Sequence, residues 1–155
     1  PALGGVYKLS AMQEPDGALE PRIKLSENIW KITNPGYKKV VRIYSKLENK
    51  ALADLIMLAD ETIDESQPLT IFSPTATWKT MTLTNYFTKE LLQPIFVDGK
   101  QVYVSPTLME IQAYAKEQMN TLWDEYKRFT NPHIYKVDLS QKLYDLKNHL
   151  IRTRR

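Results

Sequence analysis

The first two thirds of the chain alternates short apolar segments with turn sequences, a pattern typical of β-strands joined by tight connections. The sequence EPDG at residues 14–17 predicts a turn and therefore a first hairpin, and residues 47–50 suit a second hairpin loop. Residues 75–92 fit neither the helical nor the strand period. Strands are predicted over residues 6–12, 22–25, 40–45, 51–58 and 69–72.

A further hairpin is predicted where Asp98 and Gly99 separate two apolar segments, residues 94–97 and 101–104. Both residues tolerate the positive φ angles that a two-residue type I′ turn requires. This is the clearest hairpin in the sequence. Residues 1–104 are therefore predicted to form a β-rich part of the chain.

The last third, residues 105–155, has a helical period. Ser105 is a suitable N-cap, and Pro106 suits the first helical position because its missing N–H is not needed there. Asp124 precedes Arg128 by one turn and is expected to pair with it. One apolar stripe of about six turns is predicted, made by Leu108, Ile111, Ala115, Met119, Leu122, Tyr126 and Phe129.

A second helix is predicted after Asn131 and Pro132 end the first one. Ser140 is its expected N-cap, and basic residues at its end complement the helix dipole. Its inward positions are Leu143, Leu146 and Leu150. Antiparallel hairpins followed by two amphipathic helices make the fold class α+β.

Size and composition indicate one domain of an ordinary globular protein, with 155 residues, 43% of them hydrophobic and 25% charged. The chain has no cysteine, which excludes disulfides, zinc knuckles and thiol nucleophiles. Because no apolar run approaches the roughly 20 residues of a transmembrane helix and no signal peptide is visible, we expect a cytoplasmic protein without a membrane partner.

The net charge of +3 is spread unevenly along the chain. Residues 1–50 carry +4, residues 51–100 carry −4, and residues 101–155 carry +3. Without the three arginines of the C-terminal tail the chain is neutral. Nucleic-acid binding needs basic charge clustered on the folded surface, so the sequence does not favour a nucleic-acid partner.

Few residues of the sequence suggest catalysis or metal binding. His133 is predicted in a loop and His149 near a helix end, where each is more typical of a packing or surface residue than of a general base. Residues 60–65 carry four carboxylates, which we interpret as a solvated acidic loop because no further ligand cluster accompanies them. Gly4 and Gly5 form a glycine pair that is only a weak indication of a phosphate loop.

Many segments in collinear order resemble the end of nicotinate phosphoribosyltransferases, especially the longer bacterial type. They include PALGGVYKL at residues 1–9, TNPG at 33–36 and VDLSQKL at 137–143, and Lys38 and Arg42 match a family block. The other matching segments cover residues 24–27, 54–56, 76–79, 105–108, 122–125, 128–129 and 131–133. The resemblance implies that residues 1–155 are a single C-terminal domain, the C-terminal module of a type II phosphoribosyltransferase.

This family transfers a phosphoribosyl group from phosphoribosyl pyrophosphate to nicotinate and couples the transfer to ATP hydrolysis. The resemblance implies ATP and Mg²⁺ for the parent enzyme, a homodimer, and the remainder of the enzyme as partner. The family's phosphorylated histidine, nicotinate-binding arginine and glycine-rich phosphate loop have no counterpart in this sequence. The chain is therefore expected to be non-catalytic alone and to bind no cofactor or metal by itself.

The resemblance also suggests where the chain lies relative to the substrate phosphates. Lys8, Lys24, Ser26 and Lys31 belong to the segments nearest in sequence to the family's phosphate loop, so we expect them near phosphate. Ile29 and Trp30 depart from the family, which usually has a proline and a small or acidic residue there, and this alters the backbone before Lys31. The alternative for the lysines is that they are solvated strand residues. The alternatives for the function of the chain are a stand-alone module that binds polyanions and a dimerisation domain that pairs through its long helix.

Overall fold

The computed structural model of the protein describes Gly4 and residues 7–153, and its architecture is α+β as predicted. A 3-10 turn spans Ile29–Lys31. The helices are α1 (Leu108–Thr121), α2 (Asp124–Lys127) and α3 (Gln141–Thr153). The strands are β1 (Ala11–Gln13), β2 (Leu19–Pro21), β3 (Lys38–Ser45), β4 (Ala51–Leu58), β5 (Leu69–Ser73), β6 (Ala76–Leu83), β7 (Tyr86–Glu90), β8 (Phe96–Val97), β9 (Lys100–Gln101) and β10 (Val137–Leu139).

A four-stranded sheet in the order β10–β4–β3–β7 organises the fold. The strands β3 and β4 pair antiparallel, as predicted, and place Val41 opposite Leu55 and Ile43 opposite Ala53 on one face. Their β-branched and apolar side chains suit a sheet that is covered on this face. The hairpin of β5 and β6 packs on the same face and completes the core, which contains Val41, Ile43, Ala53, Leu55, Met57, Ile71, Leu83 and Tyr86.

Helix α3 begins where predicted and packs near β4. The Ser140 hydroxyl accepts a hydrogen bond from the Leu143 N–H at 3.2 Å, which confirms the expected cap. Leu143 is fully buried, while Leu146 and Leu150 are half-buried. No helix in the described part of the chain is long and apolar enough to span a membrane.

Strand β10 was not predicted. It has three residues and pairs in parallel with β4, with Leu139 opposite Ile56. A parallel partner is brought in by a long connection rather than by a local turn, so a short strand of this kind has little sequence signature. Because β10 lies within residues 105–155, the part predicted to be helical also contributes to the central sheet.

The first hairpin forms, but its strands lie elsewhere than predicted. Residues 6–12 and 22–25 were the expected strands, whereas the paired residues are 11–13 and 19–21, and Val6 falls outside the described residues. The turn itself is as predicted, with Gly17 at a φ of 87° and its N–H donating to the Glu14 carbonyl at 2.8 Å. The pairing follows the turn closely because the contacts nearest the turn close the shortest loop.

The later strands agree with the sequence where turn chemistry is strong. Asp98 and Gly99 both have positive φ, 49° and 74°, between the paired residues Val97 and Lys100, which confirms the predicted two-residue turn. The segment 75–92, which had no clear period, forms β6 and β7.

The long first helix of the prediction is wrong in its start, its length and its burial. Thr107 rather than Ser105 is the N-cap, and Thr107 and Glu110 form a capping box. The helix ends at Thr121, and the backbone of the next residue, Leu122, is extended. At this end the Lys50 ammonium donates a hydrogen bond to the Asn120 carbonyl at 2.6 Å, which satisfies one of the free carbonyls of the last turn.

The residues beyond this break form only the short helix α2, and Asp124 pairs with Lys127 at 2.7 Å rather than with Arg128. The apolar stripe of α1 is not covered: none of its 14 residues is buried, and Leu108 is 68% exposed.

Candidate functional site

Two of the four residues expected near phosphate line one depression on the surface. Lys8 and Lys24 border a hollow of about 390 Å³, together with Arg22, Tyr7 and Ile23. The hollow lies between the chain entering the first hairpin and the chain leaving it. Arg22 was not singled out from the sequence, although it follows directly after β2. We refer to Lys8, Arg22 and Lys24 as the cationic groove.

The three cations of the cationic groove differ in how their charge is compensated. Arg22 lies 3.3 Å from a carboxylate oxygen of Glu14 and also pairs with Glu20. Lys8 and Lys24 take part in none of the ion pairs among the described residues. The lysines therefore carry the charge that is available to an anion.

The other two predicted residues lie outside this groove. The hydroxyl of Ser26 accepts a hydrogen bond from the Asn28 N–H at 3.3 Å and so belongs to a local turn. Lys31 has an exposed side chain, and its backbone carbonyl accepts a hydrogen bond from the Lys8 ammonium at 2.6 Å. The fold thus connects Lys31 to the groove through its backbone, and the 3-10 turn that contains Ile29 holds this carbonyl in place.

The groove presents two ammonium groups and one guanidinium group, which are suited to contact an anion. Ammonium groups bind phosphate oxygens through charge-assisted hydrogen bonds. A nucleophile would need an adjacent base, and the histidines lie elsewhere. His133 is exposed, and its ring lies edge-on to that of Tyr126 with the ring centroids 6.4 Å apart. His149 is exposed on α3. Both positions agree with the interpretation of these histidines as packing or surface residues.

The acidic segment at residues 60–65 has structural hydrogen bonds. A carboxylate oxygen of Glu61 accepts from the Leu58 N–H at 2.7 Å and from the Ser140 hydroxyl at 2.7 Å. The carboxylate of Glu65 accepts from the N–H and the hydroxyl of Thr88 at 2.7 and 2.6 Å, and these hydrogen bonds lower the pKa of Glu65. The segment therefore connects the sheet to the start of α3 and is less free in solvent than the sequence suggested.

A half-buried polar network, not predicted from the sequence, joins three parts of the fold. The guanidinium of Arg42 on β3 binds both carboxylate oxygens of Asp54 on β4, at 2.7 and 2.9 Å. The hydroxyl of Tyr135, just before β10, donates to Asp54 at 3.0 Å. The pKa of Tyr135 is raised mainly by burial and then by the negative charge of Asp54. The pKa of Arg42 is raised mainly by its hydrogen bond to Asp54. The Asp54 carboxylate thus joins β3, β4 and the segment before β10 through three side-chain hydrogen bonds.

Comparison with known proteins places this chain in one family. The nicotinate phosphoribosyltransferase C-terminal domain model matches residues 37–147. A nicotinate phosphoribosyltransferase of Bacillus subtilis is 40% identical over 147 residues, which are 95% of this chain and 30% of that protein. The human enzyme of the same name is 33% identical over 151 residues, 97% of this chain and 27% of that protein.

A solved structure gives the same result for the fold. The crystal structure of human nicotinic acid phosphoribosyltransferase superposes with a TM-score of 0.74 and 27% sequence identity, over 97% of this chain and 27% of that one. This chain thus spans less than a third of the length of these relatives. The chain belongs to the nicotinate phosphoribosyltransferase family of transferases, whose C-terminal domain it matches.

Proposed function

We propose that this chain is the C-terminal domain of an enzyme that transfers the phosphoribosyl group of phosphoribosyl pyrophosphate to nicotinate. The products are nicotinate mononucleotide, a precursor in NAD biosynthesis, and pyrophosphate, with ATP hydrolysis coupled to the transfer. The chain itself is a non-catalytic part of a cytoplasmic, homodimeric enzyme. The observation that carries the proposal is the match of nearly the whole chain to less than a third of enzymes with this name.

The uncovered apolar residues support a role as part of a larger enzyme. A helix of 14 residues is marginal in water unless its apolar face packs against another element. Helix α1 exposes Leu108, Met109 and Ile111, and the hairpin of β8 and β9, which precedes it in the chain, exposes Phe96 at 66%. Exposed apolar surface of this extent is typical of an interface. We infer that the remainder of the enzyme covers it.

In the assembled enzyme, the cationic groove contributes positive charge to the binding of substrate or ATP phosphates. Lys8 and Lys24 fit this role because their ammonium groups have no ion-pair partner among the described residues. Lys31 contacts the groove through its backbone carbonyl, whereas the Ser26 hydroxyl caps a local turn outside it. The part of the chain that the structure describes has no group of three or more His, Cys, Asp or Glu side chains placed to hold a metal ion.

The proposal is tested by exchanging the C-terminal region of the Bacillus subtilis relative for this chain. The hybrid enzyme is expected to convert nicotinate to its mononucleotide, and the 155-residue chain alone is expected to form none. The readout is chromatographic detection of nicotinate mononucleotide with phosphoribosyl pyrophosphate and ATP present. Product formation by the chain alone contradicts its non-catalytic role, and an inactive but folded hybrid contradicts the proposed family function.

The cationic groove is tested in the same hybrid. We expect Lys8→Ala and Lys24→Ala to raise the KM for phosphoribosyl pyrophosphate or ATP several-fold, because each removes a charge available to phosphate. Lys31→Ala is expected to have a smaller effect, since only the Lys31 carbonyl contacts the groove. Lys89→Ala is the matched control, an exposed lysine on β7 without an ion pair among the described residues. Kinetics unchanged in all four variants would remove the groove from the proposal.

A further inference from the structure

A cavity separate from the cationic groove lies between the central sheet and helix α3. Its volume is about 350 Å³, at the lower end of the range of small-molecule pockets. Ile56 and Leu139, which are register partners in β4 and β10, form its apolar side. The residues Tyr144, Lys147, Asn148 and Ile151 of α3 line the opposite side.

The α3 side of this cavity lies beside the inward face of Leu143, Leu146 and Leu150, and it combines apolar and polar side chains. Positions 144, 147, 148 and 151 are spaced by three and four residues, so they share one face of the helix. Here two of the four side chains, Lys147 and Asn148, are polar, and both are only half-exposed.

Lys147 is the unusual group of the cavity. Its ammonium donates to the side-chain oxygen of Asn34 at 2.8 Å, and it takes part in no ion pair among residues 7–153. Burial lowers its pKa. An ammonium has three donors, and a neutral amide oxygen does not compensate its charge. A half-buried cation beside an apolar cavity is the arrangement that an anion with an apolar body satisfies.

We propose that this cavity binds a small organic anion with an apolar body, its carboxylate at Lys147 and its body between Ile56, Leu139 and Tyr144. The Tyr144 ring is fixed edge-on against Phe72, with ring centroids 5.2 Å apart, so the wall is preorganised. Asn148 and Asn34 supply amides at the polar end. The proposal does not depend on the proposed transferase reaction, since it is argued only from residues that line this cavity.

Benzoate and benzamide are suitable probes because they have the same shape and differ in charge. Each is titrated into the ¹⁵N- and methyl-labelled 155-residue chain, and binding is followed in NMR spectra. Benzoate is expected to shift the methyl signals of Ile56 and Ile151 and to bind at least ten-fold more tightly than benzamide. Equal affinities, or shifts confined to residues outside the cavity, overturn the proposal.

Substitutions then separate charge from shape. Lys147→Met keeps the length of the side chain and is expected to weaken benzoate binding at least ten-fold, while benzamide binding changes little. Lys142→Met is the control, an exposed lysine of the same helix that pairs with Asp60. Because Lys147→Met could disturb folding, Ile151→Phe provides a second variant that fills the cavity and retains the charge. Undiminished benzoate binding in either folded variant contradicts the site.

Discussion

The network of Arg42, Asp54 and Tyr135 gives a sharp test of what holds the sheet together. We consider Asp54→Ala, which removes the acceptor shared by the other two residues. The Asp54 side chain is 12% exposed and that of Arg42 is 20% exposed. The substitution leaves the guanidinium without its two hydrogen bonds, at 2.7 and 2.9 Å, in a site that water reaches only partly.

The expected loss follows from these contacts. Removing one partner of a buried ion pair costs about 3–5 kcal/mol, and partial access of water to Arg42 places this case at the lower limit, about 3 kcal/mol. Tyr135→Phe removes one hydrogen bond to the same carboxylate and is expected to cost about 1 kcal/mol. The backbone N–H of Asp54 also binds the Lys136 carbonyl at 3.0 Å, a contact that both variants retain.

Urea denaturation followed by circular dichroism measures these free energies of unfolding. The double variant Arg42→Met/Asp54→Leu removes both charges and is expected to be more stable, by about 2 kcal/mol, than the sum of the two single effects predicts. An Asp54→Ala variant within about 1 kcal/mol of the wild type would refute the reasoning. Additive effects of Arg42→Met and Asp54→Leu would refute it equally, since they would mean that the two charges do not interact.

Three further predictions concern single positions. Gly36→Ala is expected to lower the free energy of unfolding by about 2 kcal/mol, because φ is 87° and the new Cβ would lie 2.7 Å from a methyl of Leu58. Gly99→Ala is the control, since its φ is 74° but no atom lies within contact of the new Cβ, and it is expected to cost only about 1 kcal/mol. Urea denaturation measures both values. Thr107→Ala is expected to destabilise α1 locally by about 1 kcal/mol, seen as faster amide hydrogen exchange, whereas Ser105→Ala leaves exchange unchanged. Burial raises the pKa of the Asp138 carboxyl, and the nearby Lys136 offsets this only in part. The folded state therefore holds the carboxyl proton more tightly than the unfolded state does. As a result, the free energy of unfolding falls as pH rises from the ordinary pKa of about 4 through the raised pKa of the folded state. Asp138→Asn is expected to flatten this part of a pH series of urea midpoints, and an unchanged slope would contradict the assignment.

Two of the four residues expected near phosphate lie together in the fold, and the reason is geometric. Lys8 and Lys24 line one groove, whereas Ser26 is used by a local turn. That these residues lie near phosphate stays a prediction. Arg22 joins the groove because the hairpin pairs at residues 11–13 with 19–21, a register that the sequence did not specify. The groups of a site come together through register, and register depends on pairing energies that single residues do not reveal.

Local chemistry explains the features that were readable from the sequence alone. The Asp98-Gly99 turn, the β3–β4 hairpin and the Ser140 cap each depend on residues within a few positions of one another. Short-range preferences of this kind act on any chain that contains them. The family resemblance, confirmed by the domain match, likewise rests on the linear order of segments.

Tertiary structure decided what depends on distant partners. Lys50 binds a carbonyl at the end of α1, 70 positions away, where the apolar period alone predicted a continuing helix. Tyr135 reaches Asp54 across 81 positions and accompanies the parallel strand β10. A periodic pattern shows that one face of an element is apolar. The free energy gained by burying that face depends on the surface that packs against it, which the pattern does not reveal. For β10 that surface is a strand formed some 80 residues earlier, whereas none of the residues of α1 is buried by the described part of the chain.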